Sequence, residues 1–255
     1  MLITSSSSST RLLLPPSQRQ HLHNVSHPPF NMLAWTHSVP GEPSCVLALS
    51  TVVAPTIKSP THVLIRTSHA SLNPGGSIMM QLVPSFVRSQ PCIPELDFSG
   101  TVVSVGAAVS GSRGLSPGTP VFGSVTVAAH MRGTGALAEF MVLEENAVVR
   151  KPNNMRSEEA AGLAVAGCTA LELVKNAKLK RGDSVFINGA SGGIGTMVLQ
   201  MVKDIVGESG KVVAACSETK AELVRGLGAD EVSPRSPQQL TLFICCTQHA
   251  EKVRW

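Results

Sequence analysis

Tyrosine is missing from all 255 residues, and the remaining aromatics are 2 Trp and 7 Phe. Any mechanism that needs a catalytic tyrosine is therefore excluded, and so is a base-stacking surface rich in aromatic rings. Charge is also scarce, at 15% of residues. Arg11 and Arg19 are the sole Lys, Arg, Asp or Glu before Glu42, so residues 42–255 hold 19 basic and 17 acidic groups. That near balance lacks the basic footprint of a nucleic-acid-binding surface. No apolar run approaches the ~18–20 residues of a membrane span. The six cysteines, at 45, 92, 168, 216, 245 and 246, form no C-x-x-C and no Cys/His pair at metal-ligand spacing. With no disulfide framework, a reducing compartment is expected, the cytoplasm first.

What is present suffices for a folded chain of one to two domains. Hydrophobic residues make up 43%, and the length is enough to bury a core. Three parts can be distinguished. Residues 1–31 contain the serine run Ser5 to Ser9, the breaks Pro15-Pro16 and Pro28-Pro29, and no acidic residue. This composition is that of a disordered extension, or of sequence upstream of a start at Met32. The alternative is a mitochondrial targeting segment, Ser-rich and acid-free but with little Arg. Residues 32–156 read as short strands, at His62 to Thr67, Gly100 to Gly106, Thr119 to Ser124, Ala136 to Leu143 and Ala147 to Val149. Gly and Pro turns such as Pro74-Gly75-Gly76 and Pro117-Gly118 separate them, which predicts a β barrel or sandwich.

Residues 157–255 change period. Ser157, followed by Glu158 and Glu159, predicts a helix running to about Lys175. Ser184 to Asn188 reads as a strand. The following helix carries Met197, Val198, Met201, Val202 and Ile205 on one face, and Gly207 and Gly210 end it. Lys211 to Cys216 reads as a second strand. Strand, helix and strand at this length form a βαβ unit. Leu240 to Cys246 is a short apolar run that suits one more strand, with Cys245-Cys246 in its core.

The chemistry lies in the turn Gly189-Ala190-Ser191-Gly192-Gly193-Ile194-Gly195. It follows a strand and opens a helix, the context of a dinucleotide fingerprint whose three glycine places fall on Ala190, Gly192 and Gly195. A bare backbone at Gly192 lets a pyrophosphate approach the helix N-terminus, where N–H donors point outward. The competing reading is a purely structural strand–turn–helix. At the end of the second strand an NAD enzyme usually places an acid for the ribose hydroxyls. Here stand Cys216 and Ser217, with Lys220 one turn on. A hydroxyl and a cation suit a 2′-phosphate, which favours NADP(H) over NAD. Glu218 would supply the acid if the strand ran longer, and Lys220 also fits an ordinary solvated residue.

Taken together, these segments resemble the medium-chain dehydrogenase/reductase superfamily, and within it the zinc-free quinone oxidoreductase and enoyl-reductase-like branch. The resemblance rests on Ala70 to Pro74, Pro94 to Gly100, Ala166 to Leu171, Asn188 to Gly195 and Leu227 to Val232. It implies an α/β chain with a GroES-like β-rich catalytic domain followed by a Rossmann domain, a doubly wound parallel sheet, with the active site between them. It further implies NADP(H), hydride transfer to a quinone, an enone or another activated carbonyl or double bond, a small-molecule substrate and a homodimer. Asn73 matches a position lining the nicotinamide pocket, where its amide is suited to bond substrate or cofactor; an Asx-turn before Pro74 is the other reading. Thr169 matches a position near the cofactor, and also fits a helix-interior hydroxyl.

Zinc-dependent relatives carry a Cys, and a Gly-His-Glu segment where this chain has Glu95-Leu96-Asp97, so no catalytic metal is expected. Two departures stand out. The Asp usual shortly after Asn-Pro is replaced by Gly75-Gly76. After Val232 the likeness stops, so residues 157–255 predict only part of a dinucleotide domain, which raises a second reading: a shortened, non-catalytic relative that binds nucleotide weakly or not at all.

Overall fold

The computed structural model describes residues 30–234 and 243–247. The expectations for residues 1–29, and for the side chains of Cys245 and Cys246, lie outside the described residues. The chain divides into two compact units, residues 1–164 and 165–255.

The first unit opens with β1 (Asn31–Thr36), the short helix α1 (Pro43–Val46) and β2 (Ala48–Val53), with β1 and β2 paired antiparallel. Asn31 thus belongs to a strand rather than to the N-terminal extension, and the Ala54 N–H donates to Phe30 O at 2.8 Å. Next come β3 (His62–Ala70), α2 (Pro74–Leu82), β4 (Asp97–Val105), β5 (Pro120–Ser124), α3 (Val127–Met131), β6 (Phe140–Glu144), β7 (Val148–Arg150) and α4 (Ser157–Ala161). The five strands after β2 form one antiparallel sheet in the order β6-β3-β4-β5-β7. Its core holds Val63, Ile65, Phe98, Val121 and Met141, each at most 1% exposed. Gly100 allows β3 and β4 to approach: a Cβ there would overlap Arg66 O and lie 2.9 Å from Ile65 Cγ2.

Two local features differ from the sequence expectation. Pro74-Gly75-Gly76 is no turn between strands but the first turn of α2, with Pro74 in the N-terminal position where its missing N–H costs nothing. The helix expected from Ser157 to about Lys175 is two helices, α4 and α5 (Ala164–Ala177), parted at Gly162 and Leu163. Helix α4 packs on β3, β4 and β5, so it belongs to the first unit and the division falls at 164 rather than 156. Arg156, not Ser157, precedes its first residue, and the Glu159 carboxylate accepts the Arg156 N–H at 2.9 Å.

Helix α3 has a capping side chain: Thr126 Oγ1 accepts the Ala129 N–H at 3.2 Å. Thr126→Ala should lower the stability of this unit by about 1 kcal/mol, read as a lower urea midpoint at unchanged slope.

In the second unit, α5 is followed by β8 (Ser184–Asn188), α6 (Gly193–Val206), β9 (Lys211–Cys216), α7 (Ala221–Gly226), β10 (Glu231–Pro234) and β11 (Phe243–Thr247). The sheet order is β10-β9-β8-β11. Strands β8, β9 and β10 are parallel, as a βαβαβ half requires. Strand β11 is the extra strand expected from the apolar run, but it pairs antiparallel with β8, which departs from a wholly parallel sheet. The side chains of Val198, Leu199, Val202 and Val206 on α6 are fully buried, whereas Ile205 is 38% exposed. The apolar face is therefore rotated from the one expected, because the helix must cover both β8 and β9.

Candidate functional site

Chemically distinctive residues are found in both units. In the second unit the glycine turn joins β8 to α6. Gly189 has φ +73°, a conformation that favours glycine. The Gly189 and Ala190 N–H groups both donate to Ala215 O at 3.1 Å, and Gly192 N–H donates to Gly189 O at 3.1 Å. Ala190 is fully buried in the core of the unit, so a methyl group at the first glycine place is accommodated. Ser191 is half-buried, and Gly192 and Gly193 are exposed. A Cβ at Gly193 would meet nothing within 4 Å, and at Gly192 it would only touch Gly189 O at 3.4 Å. The side-chain faces of Gly192 and Gly193 thus look onto open space at the start of α6, where first-turn N–H groups have no intrahelical acceptor. Such a cradle fits a pyrophosphate.

Strand β9 stops at Cys216, and a single 3-10 turn, Glu218–Lys220, follows. Glu218 therefore lies beyond the strand. Ser217 Oγ pairs with Thr219 Oγ1 at 3.2 Å, and Ser217, Thr219 and Lys220 are all exposed. The Cys216 side chain is buried, and burial pushes its thiol pKa up, which keeps it neutral. On α5, Thr169 is exposed and its hydroxyl donates to Val165 O at 2.7 Å. That bond uses the proton and leaves the oxygen able to accept.

In the first unit, Asn73 is the residue before α2, in extended conformation. Its side chain makes no cap to the helix; Nδ2 instead donates to Asp97 Oδ2 at 3.2 Å. Within the turn, Gly76 N–H donates to Asn73 O at 3.0 Å. An Asx-turn is therefore not what occupies the Asn73 amide.

The Asn73 N–H donates to Glu95 Oε2 at 3.0 Å. Glu95 was singled out by no sequence pattern as a site residue, yet it is the most unusual one here. It is 4% exposed and has φ +66°, a backbone region where a non-glycine residue needs support. Support comes from Ala136 N–H, which donates to Glu95 O at 2.9 Å. Burial pushes the Glu95 carboxyl pKa up to about 7; the Asn73 hydrogen bonds oppose this and the neighbouring Asp97 charge adds to it. The signal was present as two separate oddities, an acid at 95 where zinc-dependent relatives carry Gly, and Gly75-Gly76 where Asp is usual.

Elsewhere in this unit Arg88, 5% exposed, lies near His37, Cys92 and His130; burial lowers both histidine pKa values and the Arg88 charge adds to it. Among the described residues, no three His, Cys, Asp or Glu come together to hold a metal ion. No helix among them is long and apolar enough to cross a membrane.

Comparison with known proteins agrees with this architecture. Residues 59–153 match the alcohol dehydrogenase GroES-like domain. The chain is 30% identical over 253 residues to a trans-enoyl reductase of Penicillium oxalicum, covering 86% of this chain and 65% of the relative. It is 37% identical over 206 residues to the chloroplastic NADPH-dependent alkenal/one oxidoreductase of Arabidopsis thaliana, covering 79% and 52%. The quinone oxidoreductase of Coxiella burnetii has a similar structure, with a TM-score of 0.70 at 27% identity over 80% of this chain and 62% of that one. The chain thus spans between about half and two thirds of the length of these relatives. The chain thus carries an alcohol dehydrogenase GroES-like domain followed by a βαβ unit on a glycine turn, and over most of its length it is similar to quinone oxidoreductases and enoyl reductases.

Proposed function

We propose that this chain belongs to an NADP(H)-dependent, zinc-free oxidoreductase that transfers hydride to a quinone, an enone or another activated double bond. The observation that carries the reading is the open glycine cradle at the start of α6, beside a strand β9 that ends at Cys216, with Ser217 next and Glu218 only in the turn beyond it. In this reading the turn Gly189 to Ile194 cradles the pyrophosphate, with the first-turn N–H groups of α6, at Gly193 and Ile194, as its donors, and Ser217 and Lys220 take the 2′-phosphate. Thr169 supplies an acceptor oxygen to the cofactor. The nicotinamide supplies the hydride, so the protein needs no nucleophile of its own. In this reading the Asn73 side-chain amide, which donates to Asp97, is the group that turns to a substrate carbonyl, where negative charge develops. The proton that completes the reduction is assigned to water.

A second reading, a relative that no longer catalyses, is favoured by β11. A doubly wound sheet places a parallel strand beside the first one and opens its ligand crevice there; here the neighbour of β8 is antiparallel.

Thermal melts with NADPH and with NADH separate the two. A ligand of the folded state raises the melting temperature by mass action. The enzyme reading expects a larger shift with NADPH, and expects Lys220→Ala to cut the NADPH affinity about tenfold with little change for NADH. No shift with either nucleotide at millimolar concentration would leave the non-catalytic reading standing.

A further inference from the structure

The Glu95 side chain does more than fill space. It crosses from the segment before β4 to the turn before α2 and lies against the face of Gly76 that has no side chain. A Cβ on Gly76 would stand 2.7 Å from Glu95 Oε2 and overlap Oε1. Nothing comparable limits Gly75, where a Cβ would meet nothing within 4 Å. The carboxylate that uses this space accepts the Asn73 N–H, and Asp97, two residues further on, accepts from the Asn73 side chain. The backbone and the amide of Asn73 are thus held by two acids from one short segment.

We infer that Glu95 is a positioning residue for Asn73, and that Gly76 is its obligate partner: the missing side chain at 76 admits the Glu95 carboxylate, which fixes the turn presenting the Asn73 amide. The inference deepens the proposed reductase function, on which the catalytic consequence rests, while the clamp itself is a property of the folded chain. Gly75-Gly76 and the acid at position 95 are then one feature rather than two. A side chain at 76 and a carboxylate at 95 exclude each other, so a change at either position should break the same contact.

The test is a double-mutant cycle on the full 255-residue chain with Gly76→Ala, Glu95→Gly and the double variant. Glycine at 95 is compatible with φ +66°, so Glu95→Gly is expected to fold. Amide hydrogen exchange of Asn73 is the first readout. Each single variant should speed its exchange at least tenfold, and the double variant should exchange no faster than Glu95→Gly alone. Glu95→Gln keeps an acceptor oxygen and should restore slow exchange. Where NADPH-dependent reduction of a quinone or enone is measurable, the same variants should lower kcat about tenfold and change the NADPH KM less than twofold. Effects that multiply in the double variant, or slow Asn73 exchange in Glu95→Gly, would overturn the clamp. A cycle that behaves as expected in exchange, in a chain that reduces no substrate, would uphold the clamp and reject the reductase reading.

Discussion

Glu95→Gln should make the chain more stable at pH 8 and leave its stability at pH 4.5 almost unchanged. The Glu95 carboxyl has an ordinary pKa of 4.5 and is pushed up to about 7 in the fold, mainly by burial. Folding therefore favours the protonated form. Between pH 4.5 and 7 the folded chain binds more protons than the unfolded one, so stability falls as pH rises through this window. Below it both states are protonated and nothing is lost; above it the full cost applies. At about 1.4 kcal/mol per pKa unit, the cost is about 3 kcal/mol at pH 8. The side chain is 4% exposed, so solvent screens little of it. Asp97 is the neighbouring charge that acts on it. Glutamine has nearly the same shape, stays neutral and can still accept the Asn73 N–H. Urea unfolding of both proteins at pH 4.5 and pH 8 checks this. A stability difference that is the same at both pH values would show that Glu95 does not titrate in this window.

Why a group with such an effect escaped the sequence while the glycine turn did not is a matter of contact distance along the chain. The parts of the nucleotide cradle are neighbours in sequence. Gly189, Gly192 and Gly195 act on one another within seven residues, and β8 and α6 flank them directly. A local pattern suffices to read them. The end of β9 was legible for the same reason, and it falls at Cys216 as its composition indicates. Glu95 instead acts on Asn73, 22 residues earlier, and on Gly76 in the first turn of α2. That helix was itself hidden, because Pro74-Gly75-Gly76 has the composition of a turn, and only its position at a helix start makes proline harmless there. The face of α6 shows a related limit. Periodicity marks an apolar stripe, but which edge of it is sealed depends on how β8 and β9 sit beneath, and Ile205 falls on the open side. The direction of β11 is a third case: an apolar run predicts a strand and carries no information on its polarity.

The two glycines at the start of α6 should respond to alanine in opposite ways, and this is the sharpest test of the cradle. At Gly195 a Cβ would stand 2.8 Å from Ala190 Cα and overlap Gly189 O. Both obstacles are backbone, and both are tied down: Gly189 O accepts the Gly192 N–H, and the N–H groups of Gly189 and Ala190 are bound to Ala215 O. The turn cannot yield without losing bonds to β9, so Gly195→Ala should cost about 3 kcal/mol, at the upper end of overpacking. At Gly193 a Cβ meets only open space, and the position is the first of α6, where alanine is at least as good a helix former as glycine. Gly193→Ala should hold stability within about 0.5 kcal/mol. Its methyl group would nevertheless project from the face where a pyrophosphate must come close to the backbone, and NADPH affinity should fall at least about tenfold, or about 1.4 kcal/mol. The pair separates structure from binding: one glycine is required by the fold and the other by the ligand. Urea melts together with NADPH titration of both variants check it, and NADPH binding that survives Gly193→Ala unchanged would place the nucleotide elsewhere and reduce the glycine turn to a packing device.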